Sequence, residues 1–299
     1  MPPTHHTAMG LSSLSSAILL AVLVVFTFLY LRGWRHVRRI SAAIIPAWRG
    51  ASFLIGMSMV WAALGSSLVN YEHDLLTVHM IQHLLLMTLA PALMLLGEPL
   101  LVFGFGLPRV GKSVLGPLFR RPFVQRVGRT LSWPALGWIV SASTLIGWHV
   151  PALFTLGMHS EVWHFVEQAS FLVAGYLFWW PVVRPWPSAS TGPQWWTLAY
   201  LFLATLPCDI LSGFLVFSDR VAYPMYFSMP RHFGFSVLED QQCAGALMWA
   251  CITLVYLVPA AIVSTWLLSP RSFRRGDLMQ PELSGTEASQ RDSQRWETV

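Results

Sequence analysis

Seven runs of roughly 20 mostly apolar residues, each bounded by polar or basic breaks, divide the chain. They are Leu11 to Leu31, Ala51 to Asn70, Leu75 to Leu96, Trp133 to Val150, Val162 to Val183, Trp195 to Phe217 and Ala244 to Leu268. A helix rises about 1.5 Å per residue, so a run of that length crosses a hydrocarbon core of about 30 Å. The pattern predicts an all-α, polytopic membrane protein, a seven-transmembrane helix bundle over residues 11–268. A short external segment at 1–10 precedes it, and a tail at 269–299, polar and rich in Ser, Gln and Glu, reads as disordered. The first run has no basic residue ahead of it and is too long for a secretory core, so it reads as a retained helix.

Composition agrees with the pattern and excludes a soluble domain: 55% of the 299 residues are hydrophobic and 11% charged, with a mean hydropathy of +0.54. Charge adds an orientation. Arg32, Arg35, Arg38, Arg39 and Arg49 lie between the first two runs, and Arg109, Lys112, Arg120, Arg121, Arg126 and Arg129 between the third and fourth. With Arg184 and the arginines of the tail, all but Arg220 and Arg231 of the 19 Lys and Arg residues fall on one side. That side is cytoplasmic by the positive-inside rule, giving N-out/C-in. The pI of 9.4 is therefore a topology signal, not a nucleic-acid one. Trp179, Trp180, Trp195 and Trp196 suit the headgroup layers of the lipid bilayer. Gly104, Gly106 and Gly111 have no strand before them or helix start after them, so they make no phosphate loop. Cys208 and Cys243 read as small buried residues rather than a pair.

On this topology the histidines and acids gather at the outer side. His79 and His83, at i and i+4, share one face of the third helix, with His73 in the loop before it. His149 ends the fourth helix, His164 and Glu167 share a face of the fifth, Asp209 lies in the sixth behind Pro207, and Asp240 opens the seventh. Ionisable groups at membrane depth cost about 2.5–3.5 kcal/mol each, so several at one level mark a site. Two imidazoles one turn apart are able to share an ion that a further His and a carboxylate complete. The candidate ligands are His79, His83, His149, His164 and Asp209, with Glu167, Asp240 and Met248 as supporting residues. Met158, Met225, Met229 and Met248 add thioethers on the outer side, which favour Cu(I), although packing is the stronger reading of each. Asp209 reads as a ligand or as the acceptor that orients one, Asp240 as an N-cap or a supporting acid, and Glu98 as an interfacial acid.

From His79-Met80-Ile81-Gln82-His83-Leu84-Leu85 through Ala90-Pro91 to Leu96-Gly97-Glu98-Pro99, the chain resembles the seven-helix CtaG family of bacterial cytochrome c oxidase assembly factors. The likeness continues at Trp148-His149-Val150-Pro151, at His164 with Glu167, at Phe178-Trp179-Trp180-Pro181 and at Pro207, Asp209 and Gly213. It closes on Glu239-Asp240-Gln241-Gln242-Cys243-Ala244-Gly245 with Leu247-Met248-Trp249, covering about Met57 to Leu268. One departure is Gln168, where the family often has His after the Glu. The resemblance implies a non-enzymatic factor of the bacterial cytoplasmic (inner) membrane, needed for an active haem-copper oxidase and handling copper on the outer side. Its partners would be cytochrome c oxidase subunits or other copper chaperones. Two other classes fit the same residues. A membrane zinc hydrolase would use His79, His83, another His and Asp209 to activate water. A bis-His haem protein would show itself in a visible spectrum.

Overall fold

The computed structural model describes residues 5–40, 45–107, 117, 121–185, 195–230 and 234–268, and among them every regular element is helical. Helix α1 runs over His5–Ile40, α2 over Ala47–Gly65, and α3 over Leu76–Leu96 with one π turn at Leu85–Leu89. Short helices α4 (Pro99–Gly106) and α5 (Pro122–Leu131) precede α6 (Pro134–His149) and α7 (Pro151–His159). The chain then forms α8 (Glu161–Val183), α9 (Trp195–Phe217) and α10 (Val237–Leu267). Helices α4 to α7 each open on a proline, whose missing N–H costs nothing in a first turn. Pro151 also disfavours helical geometry at Val150, which is extended at ψ 125°, and α7 leaves α6 at 77°.

Five segments are long and apolar enough to cross a membrane: Ala17–Ile40, Ala47–Asn70, Leu76–Leu96, Trp195–Phe217 and Val237–Leu267. The bent pair α6 and α7 makes a sixth if it counts as one span. Of the seven expected runs, the fifth is not among these segments. With 23 residues α8 is long enough, but it carries Glu161, His164, Glu167 and Gln168. The outward faces are those of a protein in lipid. Phe202, Ile210, Phe214 and Phe217 of α9 are each more than half exposed along one side, a surface that suits acyl chains.

Two boundaries differ from the apolar pattern in ways that matter. Helix α1 continues to Ile40 through Arg32, Arg35, Arg38 and Arg39, since Arg is a good helix former and its charge needs only the end of the helix to be wet. Helix α10 begins at Val237, ahead of Ala244, because Ser236 and Glu239 form a capping box there. Asp240 is therefore inside α10 and does not cap it. It caps α3 instead: its carboxylate accepts the Leu76 and Thr77 N–H groups at 2.7 and 3.1 Å and the Thr77 hydroxyl at 2.7 Å. A charged cap on a neighbouring helix fixes α3 against α10, and Asp240→Ala is expected to cost about 2 kcal/mol. Thermal unfolding in detergent measures this, and an unchanged melting temperature would refute the cap.

Close backbone approaches set the helix register. A Cβ on Gly175 of α8 would stand 2.4 Å from the Met87 carbonyl of α3. Pro91, four residues on, has no N–H for that carbonyl, and the π turn widens α3 at this level. At the other end of α2 and α3, Arg49 Nη1 donates to Glu98 Oε1 at 2.7 Å and the Tyr30 hydroxyl donates to the Gly97 carbonyl at 2.7 Å. The interfacial acid is thus an ion-pair partner. Cys208 is buried and Cys243 exposed, and both are free thiols. Arg109, Lys112, Arg120, Arg231 and the tail lie outside the described residues.

Candidate metal centre

Helix periodicity puts His79 and His83 on one face of α3, and the Gly175 contact brings α8 against that face with Glu167 pointing between them. His79 Nε2 lies 3.5 Å and His83 Nε2 3.4 Å from the same oxygen, Glu167 Oε1. The two imidazole rings are 4.2 Å apart between centroids. His79 and Glu167 are fully buried and His83 is 5% exposed. Phe171 stacks on His83 at 4.0 Å and Phe154 sits edge-on to His79 at 5.2 Å, so apolar walls hold both rings. Trp148 donates to Ser170 at 2.8 Å, and Ser170 donates to the Glu167 carbonyl at 2.7 Å, tying this turn of α8 to α6. Gly157 of α7 leaves room for the carboxylate: a Cβ there would stand 2.7 Å from Glu167 Oε2.

Both ring nitrogens of His79, both of His83 and both oxygens of Glu167 are buried, and none makes a hydrogen bond within the protein. Each such atom costs about 1–3 kcal/mol, so this concentration calls for a cause. The nearest ligand atoms of the three side chains lie within 4.8 Å of one another. Two imidazoles and one carboxylate fit a transition-metal ion and leave a fourth position open. Zinc and copper are both compatible with that donor set.

His149 approaches the centre without joining it. Its Nδ1 donates to the Leu145 carbonyl at 2.7 Å, which turns Nε2 to the Met80 sulfur at 3.3 Å, and its ring is 6.3 Å from that of His83. Met80, His83, His149 and Met248 line one small cavity. Met80 was not among the sequence candidates, yet its i, i+3 spacing from His83 placed it on that side of the helix. Met158 packs in the core, with Met225 and Met229 against it. Asp209 joins neither group of ligand-competent side chains found among the described residues. It is half-buried, between buried Cys208 and lipid-facing Ile210.

The second group is Glu72, His73 and His164. Glu72 Oε1 lies 3.6 Å from both His73 Nε2 and His164 Nδ1, and Gln82 donates to its other oxygen. Glu72 belongs to the loop between α2 and α3, where burial pushes its carboxyl up to about 7, opposed by the Gln82 hydrogen bond and reinforced by Glu167. Burial likewise lowers His73. Gln168 stands 3.3 Å from His164 Nε2, a neighbour of the ligand candidate. Glu72 was missed from the sequence because an acid in a short loop carries no spacing signal; only the folded loop brings it under α8.

The model of the cytochrome c oxidase caa3 assembly factor family (Caa3_CtaG) matches residues 28–269. Among curated proteins, the chain is 29% identical over 267 residues to uncharacterised proteins of Mycobacterium bovis and Mycobacterium tuberculosis, covering 83% of this chain and 38% of theirs. An uncharacterised protein of Mycobacterium leprae is 25% identical over 252 residues, covering 82% of this chain and 38% of the relative. The chain thus spans well under half the length of these relatives. No solved structure matches.

Proposed function

From the premise that this chain belongs to the cytochrome c oxidase caa3 assembly factor family, we propose that it handles copper for the oxidase at the centre of His79, His83 and Glu167. One observation carries this reading: six buried donor atoms on three side chains have no partner inside the protein. The family supplies the need for copper, since a haem-copper oxidase cannot become active without it. When bound, the ion would be held by the two imidazoles and the carboxylate. Met80 beside His149 offers a softer neighbour, of the kind that suits Cu(I). The partners are oxidase subunits or other copper chaperones, and the protein acts by binding rather than by turnover.

We also read seven spans, N-out/C-in, in a bacterial inner membrane. The Arg49 and Glu98 end of α2 and α3 then faces the cytoplasm and the metal centre faces outward. Reporter fusions after Arg121 should be active only as cytoplasmic reporters, and fusions at Tyr223 only as external ones. A cytoplasmic signal at Tyr223 would overturn the orientation. The metal itself is tested by elemental analysis of the purified, detergent-solubilised protein, expected to contain copper. Zinc in its place, with hydrolytic activity, would favour a hydrolase.

A further inference from the structure

The buried centre poses a problem of access. His79 and Glu167 have no exposed surface, so an ion must reach them past other side chains. A path of imidazoles leads there. The His73 side chain is 46% exposed, its ring is 5.3 Å from that of His164, and His164 lies nearly parallel to His79 at 5.8 Å. Between His73 and His164 sits the Glu72 carboxylate, itself 3% exposed and 3.6 Å from each.

We propose that Glu72, His73 and His164 form a second cation site at the mouth of the bundle, which captures the ion and passes it to His79, His83 and Glu167. Both sites present two imidazoles and one carboxylate, so neither holds the same ion on a different class of donor, and transfer runs between like environments. The handover is ligand exchange alone: the bonds to Glu72, His73 and His164 break as those to His79, His83 and Glu167 form, and the ion keeps its oxidation state. Gln82 ties the outer site to α3. It lies on α3 between His79 and His83 in sequence, is anchored to the Ala63 carbonyl at 2.9 Å, and holds the Glu72 carboxylate in place. The inference rests on the copper reading above and adds a second site and a direction to it.

The test uses full-length protein in detergent, loaded with excess Cu2+ and desalted, with His5 and His6 replaced by Ala so that the N-terminal pair adds no copper. Wild-type side chains at the two sites should retain two equivalents and give the dipolar-coupled paramagnetic resonance spectrum of neighbouring Cu2+ ions. His73→Ala, at a half-exposed position, should retain one equivalent without coupling. In stopped-flow loading it should fill the buried centre about tenfold more slowly, to the same final occupancy. His83→Gln should keep only the outer ion. Protein that holds a single equivalent, lost in His83→Gln and loaded at the same rate in His73→Ala and Glu72→Gln, overturns the outer site and leaves the copper reading standing. Protein that holds no copper overturns that reading itself.

Discussion

His83→Gln and His79→Gln proteins are expected to accumulate in the membrane at wild-type levels, to purify without copper, and to leave cells with oxidase subunits of low activity. The separation of abundance from metal content follows from the site. Neither ring makes a hydrogen bond within the protein, so a glutamine exchanges one set of unpartnered buried polar atoms for another and breaks no existing bond. The net change in stability should stay within about 1 kcal/mol. Metal affinity behaves differently. Losing a residue that only supports a ligand costs about 10–100-fold, and losing one of three protein ligands should exceed that. Added copper should partly restore oxidase activity if delivery is the defect. Arg126→Gln, on exposed α5, should change neither metal content nor oxidase. Zinc in the wild-type protein, with oxidase activity unchanged in both His variants, would sink the copper reading.

How much of the centre could be read from the sequence depends on which coordinate of a side chain is asked for. Depth was legible, because rise per residue along an apolar run is fixed, and His79, His83, His164 and Glu167 do meet near one end of the bundle. The i, i+4 pair on α3 was legible for the same reason of period. Direction around the helix axis was not, except through neighbours. Asp209 sits on the edge of the buried stripe of α9, one position from Ile210 at 75% exposure, and the apolar residues on either side do not mark that edge. Contacts between helices were beyond the pattern altogether. Glu167 reaches two histidines of α3 because Gly175 lets α8 sit on the Met87 carbonyl, and Asp240 caps α3 across the bundle. Both depend on register between distant segments. The fold class survived these gaps because it rests on total apolar length, whereas the site rests on azimuth and register.

Glu167→Leu is expected to raise the melting temperature of the metal-free protein and to abolish the further rise that copper gives the wild type. In the metal-free state the carboxyl is buried with neither oxygen hydrogen-bonded, and a leucine of similar reach removes that cost, about 1–3 kcal/mol. The wild type regains the difference when an ion binds: at a free concentration of about 100 times Kd the gain is about 2.7 kcal/mol. The two melting curves should therefore cross, the variant leading in chelator and the wild type leading in copper. A different arrangement predicts the opposite sign. If His79 or His83 carried a proton and Glu167 were its counter-ion, at the 3.4 and 3.5 Å separations seen, the leucine would strand a buried cation. Breaking a buried pair in that way costs about 3–5 kcal/mol, and the variant would melt lower in chelator. The sign of the shift without metal thus decides whether these three side chains are a ligand set waiting for an ion or a buried ion pair that only holds two helices together.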